Sequence, residues 1–403
     1  MQSTPRGIRP HIALFGRRNV GKSSIINALV NQEIALVSDT AGTTTDPVYK
    51  NMELLPFGPV VLIDTAGLDD VGELGKMRID ASLKVLGRTD LALVVLEPNQ
   101  NLDQCEKELI RKLADAKIKF LAIINKCEEK DAPDSLKSEL AGLGAEVVPV
   151  SAATGKGIDW LKSEKIQKSL KDFDSGVIIG DLVQPGQVVI LVVPIDLAAP
   201  KGRLILPQVQ TIRDLLDTDA IAVVAKEREL RSAIEALKSP PALVVTDSQA
   251  FLKVAGDVPA GVPFTSFSVL FARYKGDLAA YVDGIKALEK IGENGRILVA
   301  ESCTHHQMAD DIGKVKIPRW VRQNYGGGIQ FDFCQGVNFP ENLGDYDLVV
   351  HCGGCMTNRK AILTRIEACH SVGVPITNYG ILIAHLHGVL EDAVRPFGLT
   401  IDE

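Results

Sequence analysis

Residues 16–23 read Gly16-Arg17-Arg18-Asn19-Val20-Gly21-Lys22-Ser23, a complete G-x-x-x-x-G-K-S, and no other stretch limits the fold of this chain as much. The apolar run His11 to Phe15 precedes it, and Ile25, Ile26, Ala28 and Leu29 follow at helical spacing. Strand, glycine loop and helix form a setting in which backbone N–H groups wrap phosphates. Gly16 and Gly21 let the backbone curl. Lys22 is expected to reach the β- and γ-phosphates, and Ser23, followed by Ser24, to hold magnesium.

Further nucleotide motifs follow in order. Gly42-Thr43-Thr44-Thr45-Asp46 is a polar loop, with Thr44 expected on magnesium and the γ-phosphate. Val60 to Ile63 is a buried strand ending in Asp64-Thr65-Ala66-Gly67. Asp64 would hold magnesium through water, and the Gly67 N–H would sense the γ-phosphate. Leu91 to Leu96 and Phe120 to Ile124 are two more strands. The second leads into Asn125-Lys126-Cys127-Glu128, and Val147 to Val150 leads into Ser151-Ala152.

These residues resemble the translation-factor-like P-loop GTPases, near the Era and MnmE branch. The resemblance implies catalysis by Lys22, Thr44, Asp64 and Gly67. It implies guanine reading by Asn125 and Lys126, with base support from the Ser151-Ala152 backbone. Glu128 stands where that family has Asp; a carboxylate still accepts from guanine, but at a different reach. Leu68 stands where the Ras branch has a water-orienting Gln. MnmE-like relatives use potassium, partly held by a loop Asn, and Asn19 occupies that position. Slow, potassium-stimulated turnover is therefore expected.

A second constellation lies near the other end. Cys303-Thr304-His305 follows the apolar run 296–300, and His351-Cys352-Gly353-Gly354-Cys355 follows the run 347–350. Thiolates and imidazoles bind iron–sulfur clusters and zinc. Ligands at the C-terminal ends of two strands in one sheet would face one crevice. Cys3His could close a zinc tetrahedron. Three thiolates on a cubane would instead leave one iron for His305, His351 or Glu301, the last lying two residues before Cys303 on the same strand face. Cys105, Cys127, Cys334 and Cys369 read as ordinary thiols, Cys334 in a Gly-rich loop. His385 and His387 read as polar surface residues.

Length and charge bound the rest. A chain of 403 residues suggests two to three domains. A net charge of -7 and 5% aromatic residues argue against nucleic-acid binding. Seven scattered cysteines are no disulfide framework and fit a reducing cytoplasm. Met1 to Pro10 has no apolar leader, and the run Val188 to Ala199 is broken by Pro194 and Asp196, so no membrane association is expected. The reading is α/β throughout: three consecutive α/β domains, the first of P-loop GTPase fold (1–168), then two small Rossmann-like layers (169–262 and 263–403). In the middle layer, strands are expected at Val188 to Val193, Leu204 to Leu206, Ala220 to Val224 and Ala242 to Val245. That layer carries no catalytic signature and is expected to form a homodimer, sheet edge to sheet edge.

A GTPase domain ahead of C-x-H…H-C-x-x-C resembles the HydF family, the maturation GTPases of iron–iron hydrogenase. The resemblance implies a 4Fe-4S cluster on Cys303, Cys352 and Cys355. It implies a scaffold holding a two-iron precursor for apo-hydrogenase, with two radical-SAM maturases as further partners. Two other readings use the same residues. An RNA- or ribosome-associated GTPase with structural zinc would show salt-sensitive RNA binding. A GTPase-gated electron-transfer protein would show a reversible potential but accept no two-iron unit.

Overall fold

The computed structural model describes residues 6–30, 47–55, 57–69, 72–98, 101–128, 130–171, 173, 176–194, 204–302, 311–336 and 338–401. The chain forms two compact units, Met1–Asp174 and Ser175–Glu403. Among the described residues no helix is long and apolar enough to cross a membrane.

The first unit holds six strands: β1 (His11–Phe15), β2 (Val48–Leu54), β3 (Gly58–Asp64), β4 (Leu91–Leu96), β5 (Lys119–Ile124) and β6 (Glu146–Pro149). They form one sheet in the order β2-β3-β1-β4-β5-β6, parallel except for β2 on the edge. β1 and β4 are buried at every position, and apolar at all but His11, because helices cover both faces. Ala13, Phe15, Val61 and Ile63 feed one core, and Ile12, Leu14, Val60 and Leu62 the other. The order reverses at β1, so the glycine loop after β1 emerges at the switch point.

The second unit holds eight strands: β7 (Val188–Val192), β8 (Ile221–Ala225), β9 (Leu243–Thr246), β10 (Phe264–Ser266), β11 (Arg296–Glu301), β12 (Gln330–Gln335), β13 (Leu348–His351) and β14 (Ile376–Asn378). They form two parallel four-stranded sheets, β10-β9-β7-β8 and β12-β11-β13-β14. One continuous core, from Ile190 to Val394, serves both sheets. The expected boundary at 262/263 falls before β10, yet β10 pairs with β9 and completes the second sheet.

The two sheets share one topology: in each, the third and second strands flank the first, and the fourth joins beyond the third. The sequence repeats with it. Gly261-Val262-Pro263-Phe264-Thr265-Ser266 recurs as Gly373-Val374-Pro375-Ile376-Thr377-Asn378. Ser266 and Asn378 both cap the helix that follows, Phe267–Lys275 and Tyr379–Leu386. Thr265 Oγ1 donates to the Ala393 carbonyl at 2.8 Å, and Thr377 Oγ1 to the Tyr281 carbonyl at 2.9 Å. Each layer thus binds the closing helix of the other. A Cβ on Gly380 would lie 2.4 Å from Ser268 Cβ, its counterpart in the repeat, so the two helices cross there. The edge strands match too, with Ile221 and Val224 exposed on β8 and Gln330 and Phe333 on β12.

Several expectations need correction. Leu204 to Leu206 is not a strand; the helix Leu206–Asp217 starts there, because Gln208 Oε1 accepts from the Ile205 N–H at 3.0 Å and Pro207 suits a first turn. Cys334 lies on β12 rather than in a loop; β12 is half-exposed and polar at alternate positions, so it lacks a buried strand's apolar run. His385 and His387 are half-buried, one 2.6 Å from Tyr325 Oη and the other edge-on to Trp320.

Candidate functional site

The glycine loop closes over its own residues. Lys22 Nζ donates to the carbonyls of Gly16 at 2.9 Å and Arg17 at 2.7 Å. Ser23 Oγ donates to Asp64 Oδ2 at 2.5 Å, bringing the two expected magnesium holders from α-helix and strand end into contact. Asn19 takes φ 59, a left-handed value that Asn tolerates. Gly21 has φ +95, and a Cβ there would lie 2.2 Å from Asn125 Nδ2. A cavity of about 490 Å³ runs between this loop, including Ser24, and the segment Asp64 to Gly67. Thr44 lies outside the described residues.

Asn125 is buried and acts as a strut. Its Nδ2 donates to the Val20 carbonyl at 2.9 Å, and its Oδ1 accepts from the Ala152 N–H at 3.0 Å. It therefore joins the phosphate loop to the Ser151-Ala152 turn. Lys126, at φ 64, pairs with Glu97. Glu128 is exposed, and a hydrogen bond from the Ser151 side chain holds its carboxyl below the usual range. Leu68 is 4% exposed and packs in the core.

The second constellation occupies the switch point of the third sheet, where β11 and β13 end side by side. The Cys352 N–H donates to the Ala300 carbonyl at 2.9 Å. The Ser302 N–H donates to Cys352 Sγ at 3.1 Å. Gly354, at φ +60, turns the chain so that Cys355 follows. Burial, with Cys352 nearby, pushes the Cys355 thiol up, while Lys275 pulls it down. These are sulfur donors held by backbone at a strand end, and they fit a thiolate-bound metal. Cys303 and His305 lie outside the described residues. Among the described residues no three His, Cys, Asp or Glu side chains converge as a metal site.

The other candidate ligands are engaged. His351 is fully buried; its Nε2 accepts from Arg365 at 2.8 Å and its Nδ1 lies 2.6 Å from the Cys352 carbonyl. Burial, reinforced by Arg365, pushes its imidazole down to about 3. Glu301 is buried, with Oε2 accepting from Gln335 at 2.8 Å and Oε1 from Tyr379 at 3.4 Å. Burial raises the Cys334 thiol to about 11. Sequence reading missed Ser302, Arg365 and Lys275, which carry no motif. A larger cavity of about 730 Å³ lies near Gly284 and Ile376 and brings no cysteine with it.

Family comparison separates the readings. The model of the hydrogen maturase F dimerization domain matches residues 178–276, and that of the hydrogen maturase F tetramerization domain matches 279–396. The chain belongs to the hydrogen maturase F family. A 50S ribosome-binding GTPase model matches 11–126, so this hydrogen maturase F chain carries a GTPase domain ahead of its two family-specific domains. The names of its two C-terminal domains speak for oligomer formation. The tRNA modification GTPase MnmE of Xanthomonas oryzae pv. oryzae is 39% identical over 171 residues, covering 41% of this chain and 35% of the relative. That of Neisseria meningitidis serogroup C is 37% identical over 166 residues, covering 40% and 35%. The chain thus spans about a third of the length of the curated relatives it matches. Among solved structures, the G domain of the T. maritima FeoB iron transporter is 28% identical, with a TM-score of 0.32, covering 40% of this chain and 99% of that one. Aquifex aeolicus Era bound to GDP.AlF4- is 19% identical, with a TM-score of 0.34, covering 57% and 98%.

Proposed function

We propose that the chain is a GTP-hydrolysing scaffold that binds a 4Fe-4S cluster on Cys303, Cys352 and Cys355, holds a two-iron precursor, and delivers it to apo iron–iron hydrogenase. Two radical-SAM maturases are the further partners in this reading. The observation that carries it is the Ser302 N–H on Cys352 Sγ at the β11/β13 switch point, with Cys303 next in the chain. The cluster supplies an iron with an exchangeable position. The residues around it fix the sulfur donors. Of the candidate fourth ligands, Glu301 is favoured over His351, because among the described residues its Oε1 is held by a long contact to Tyr379, whereas His351 Nε2 is held by Arg365 at 2.8 Å. His305 stays a third candidate.

At the nucleotide, Lys22 and the loop N–H groups hold the phosphates, Ser23, Asp64 and Thr44 hold magnesium, and Gly67 senses the γ-phosphate. Asn125, Lys126, Glu128, Ser151 and Ala152 form the guanine side. Leu68 is packed in the core and has no group to orient water, which supports slow turnover with potassium at Asn19. The domain reading places nucleotide chemistry in 1–168, dimer contacts in 169–262 and the cluster in 263–403. The exposed β8 edge, with Ile221 and Val224, is the dimer surface in this reading.

The test is anaerobic reconstitution of the full chain. The wild type should hold about four irons per chain, and Cys303→Ala, Cys352→Ala and Cys355→Ala should each lose the cluster. A wild type that bound only zinc would reject the reading. Equal GTPase rates in sodium and potassium buffers would reject the potassium role.

A further inference from the structure

The turn that carries Cys352 and Cys355 sits where the repeat breaks. After β9 the first layer passes directly to the helix Phe251–Asp257 through the short turn Ser248–Ala250. After β13 the second layer first inserts the turn from Cys352 to Asn358, and only then starts the helix Arg359–Ser371. The cysteine turn is thus an addition to a duplicated layer.

A lysine from the other layer lies beneath that addition. Lys275 ends the helix Phe267–Lys275, which belongs to the first layer, and is 2% exposed. Its Nζ donates to the Thr357 carbonyl at 3.1 Å, within the turn that the Thr357 N–H closes onto the Gly354 carbonyl. Its ammonium also lies 5.1 Å from the Tyr274 ring. The repeat puts His387 at the matching position of the second layer, and His387 packs against Trp320 instead. The cation is therefore a feature of the cysteine side and not of the repeat.

In a low dielectric the field of a buried ammonium reaches its neighbours at strength, and Lys275 lies close enough to act on Cys355. Charge close to a thiolate-bound metal sets how readily the metal accepts an electron. We propose that Lys275, supplied by the layer that the dimerization-domain model matches (178–276), is the positioning and charge-compensating residue of the cysteine site in the other layer. The inference rests on the cluster reading above. One-electron reduction adds a negative charge to the site, and Lys275 favours that state. The layer assigned to assembly thereby takes part in tuning the metal.

The experiment uses the full chain, reconstituted anaerobically, with iron content and midpoint potential measured for the wild type, Lys275→Met, Lys275→Arg and Arg273→Met. Arg273 lies on the same helix and pairs with Asp181, away from the turn. Lys275→Met should shift the midpoint potential to more negative values. Lys275→Arg should restore it, and Arg273→Met should leave it unchanged. Equal potentials in wild type and Lys275→Met overturn the inference, as do equal shifts in Lys275→Met and Lys275→Arg, which would mark packing rather than charge. Failure of the wild type to load iron would sink the cluster reading itself, a separate result.

Discussion

Arg365 NH1 lies 2.8 Å from His351 Nε2. A guanidinium only donates, so Nε2 accepts, and the ring proton sits on Nδ1, facing the Cys352 carbonyl. The same guanidinium donates to the Gly336 carbonyl, joining the ends of β12 and β13.

Removing this clamp should be costly. Arg365→Met removes a donor from the Gly336 carbonyl and from His351 Nε2, which keeps the longer contact to Ser302 Oγ at 3.3 Å, for a loss of about 2 kcal/mol. Thermal unfolding should register it as a fall of about 2–4 °C per kcal/mol lost. An unchanged melting temperature would mean that water replaces the guanidinium at no cost.

Asn125 joins two loops that must hold opposite ends of the nucleotide. Asn125→Ala should lower GDP affinity by at least about tenfold, equivalent to about 1.4 kcal/mol. Titration with a fluorescent GDP analogue measures it. Wild-type affinity would show that the strut plays no part in binding.

Gly21→Ala should be more severe than its size suggests. The new methyl meets Asn125 Nδ2, and the backbone holds a positive φ that L residues avoid. Nucleotide binding should disappear while far-ultraviolet circular dichroism stays near wild type.

Acid should weaken the second layer of the repeat through His385 and His387. Burial lowers both imidazoles, with Glu289 partly opposing this at His385. The unfolded chain then takes up protons first, so their contribution is complete above the unfolded value of about 6.5 and is lost as pH falls through and below it. His385→Gln should flatten the fall of melting temperature between pH of roughly 7 and 5. Identical slopes in wild type and variant would contradict the assignment.

Assembly offers another test. Ile221→Lys with Val224→Lys places two charges on the open β8 edge and should convert dimers to monomers in light scattering. A double variant that stays dimeric would move the dimer surface elsewhere.

The sequence revealed the parts that rest on contiguous pattern. The strand–loop–helix around Lys22 and the buried runs at β4, β5, β11 and β13 follow from apolar patterning and fixed spacing. β12 escaped because an edge strand needs no continuous apolar run, and Phe331 and Phe333 alternate with Gln330 and Asp332. The repeat escaped because its signal is short, Gly-Val-Pro-x-Thr, and becomes visible once Thr265 and Thr377 are seen to exchange partners. Arg365 and Lys275 look like surface charges in sequence; only tertiary packing brings them beneath the cysteine turn.

That exchange decides how the C-terminal half can be divided. A fragment ending at 276 would lack Ala393, and with it the helix Leu390–Val394 that takes the Thr265 hydroxyl. A fragment starting after 291 would lack Tyr281, and Thr377 would lose its acceptor. Either cut also divides one continuous core, so truncations of this protein are expected to fold only when they keep 175–403 whole.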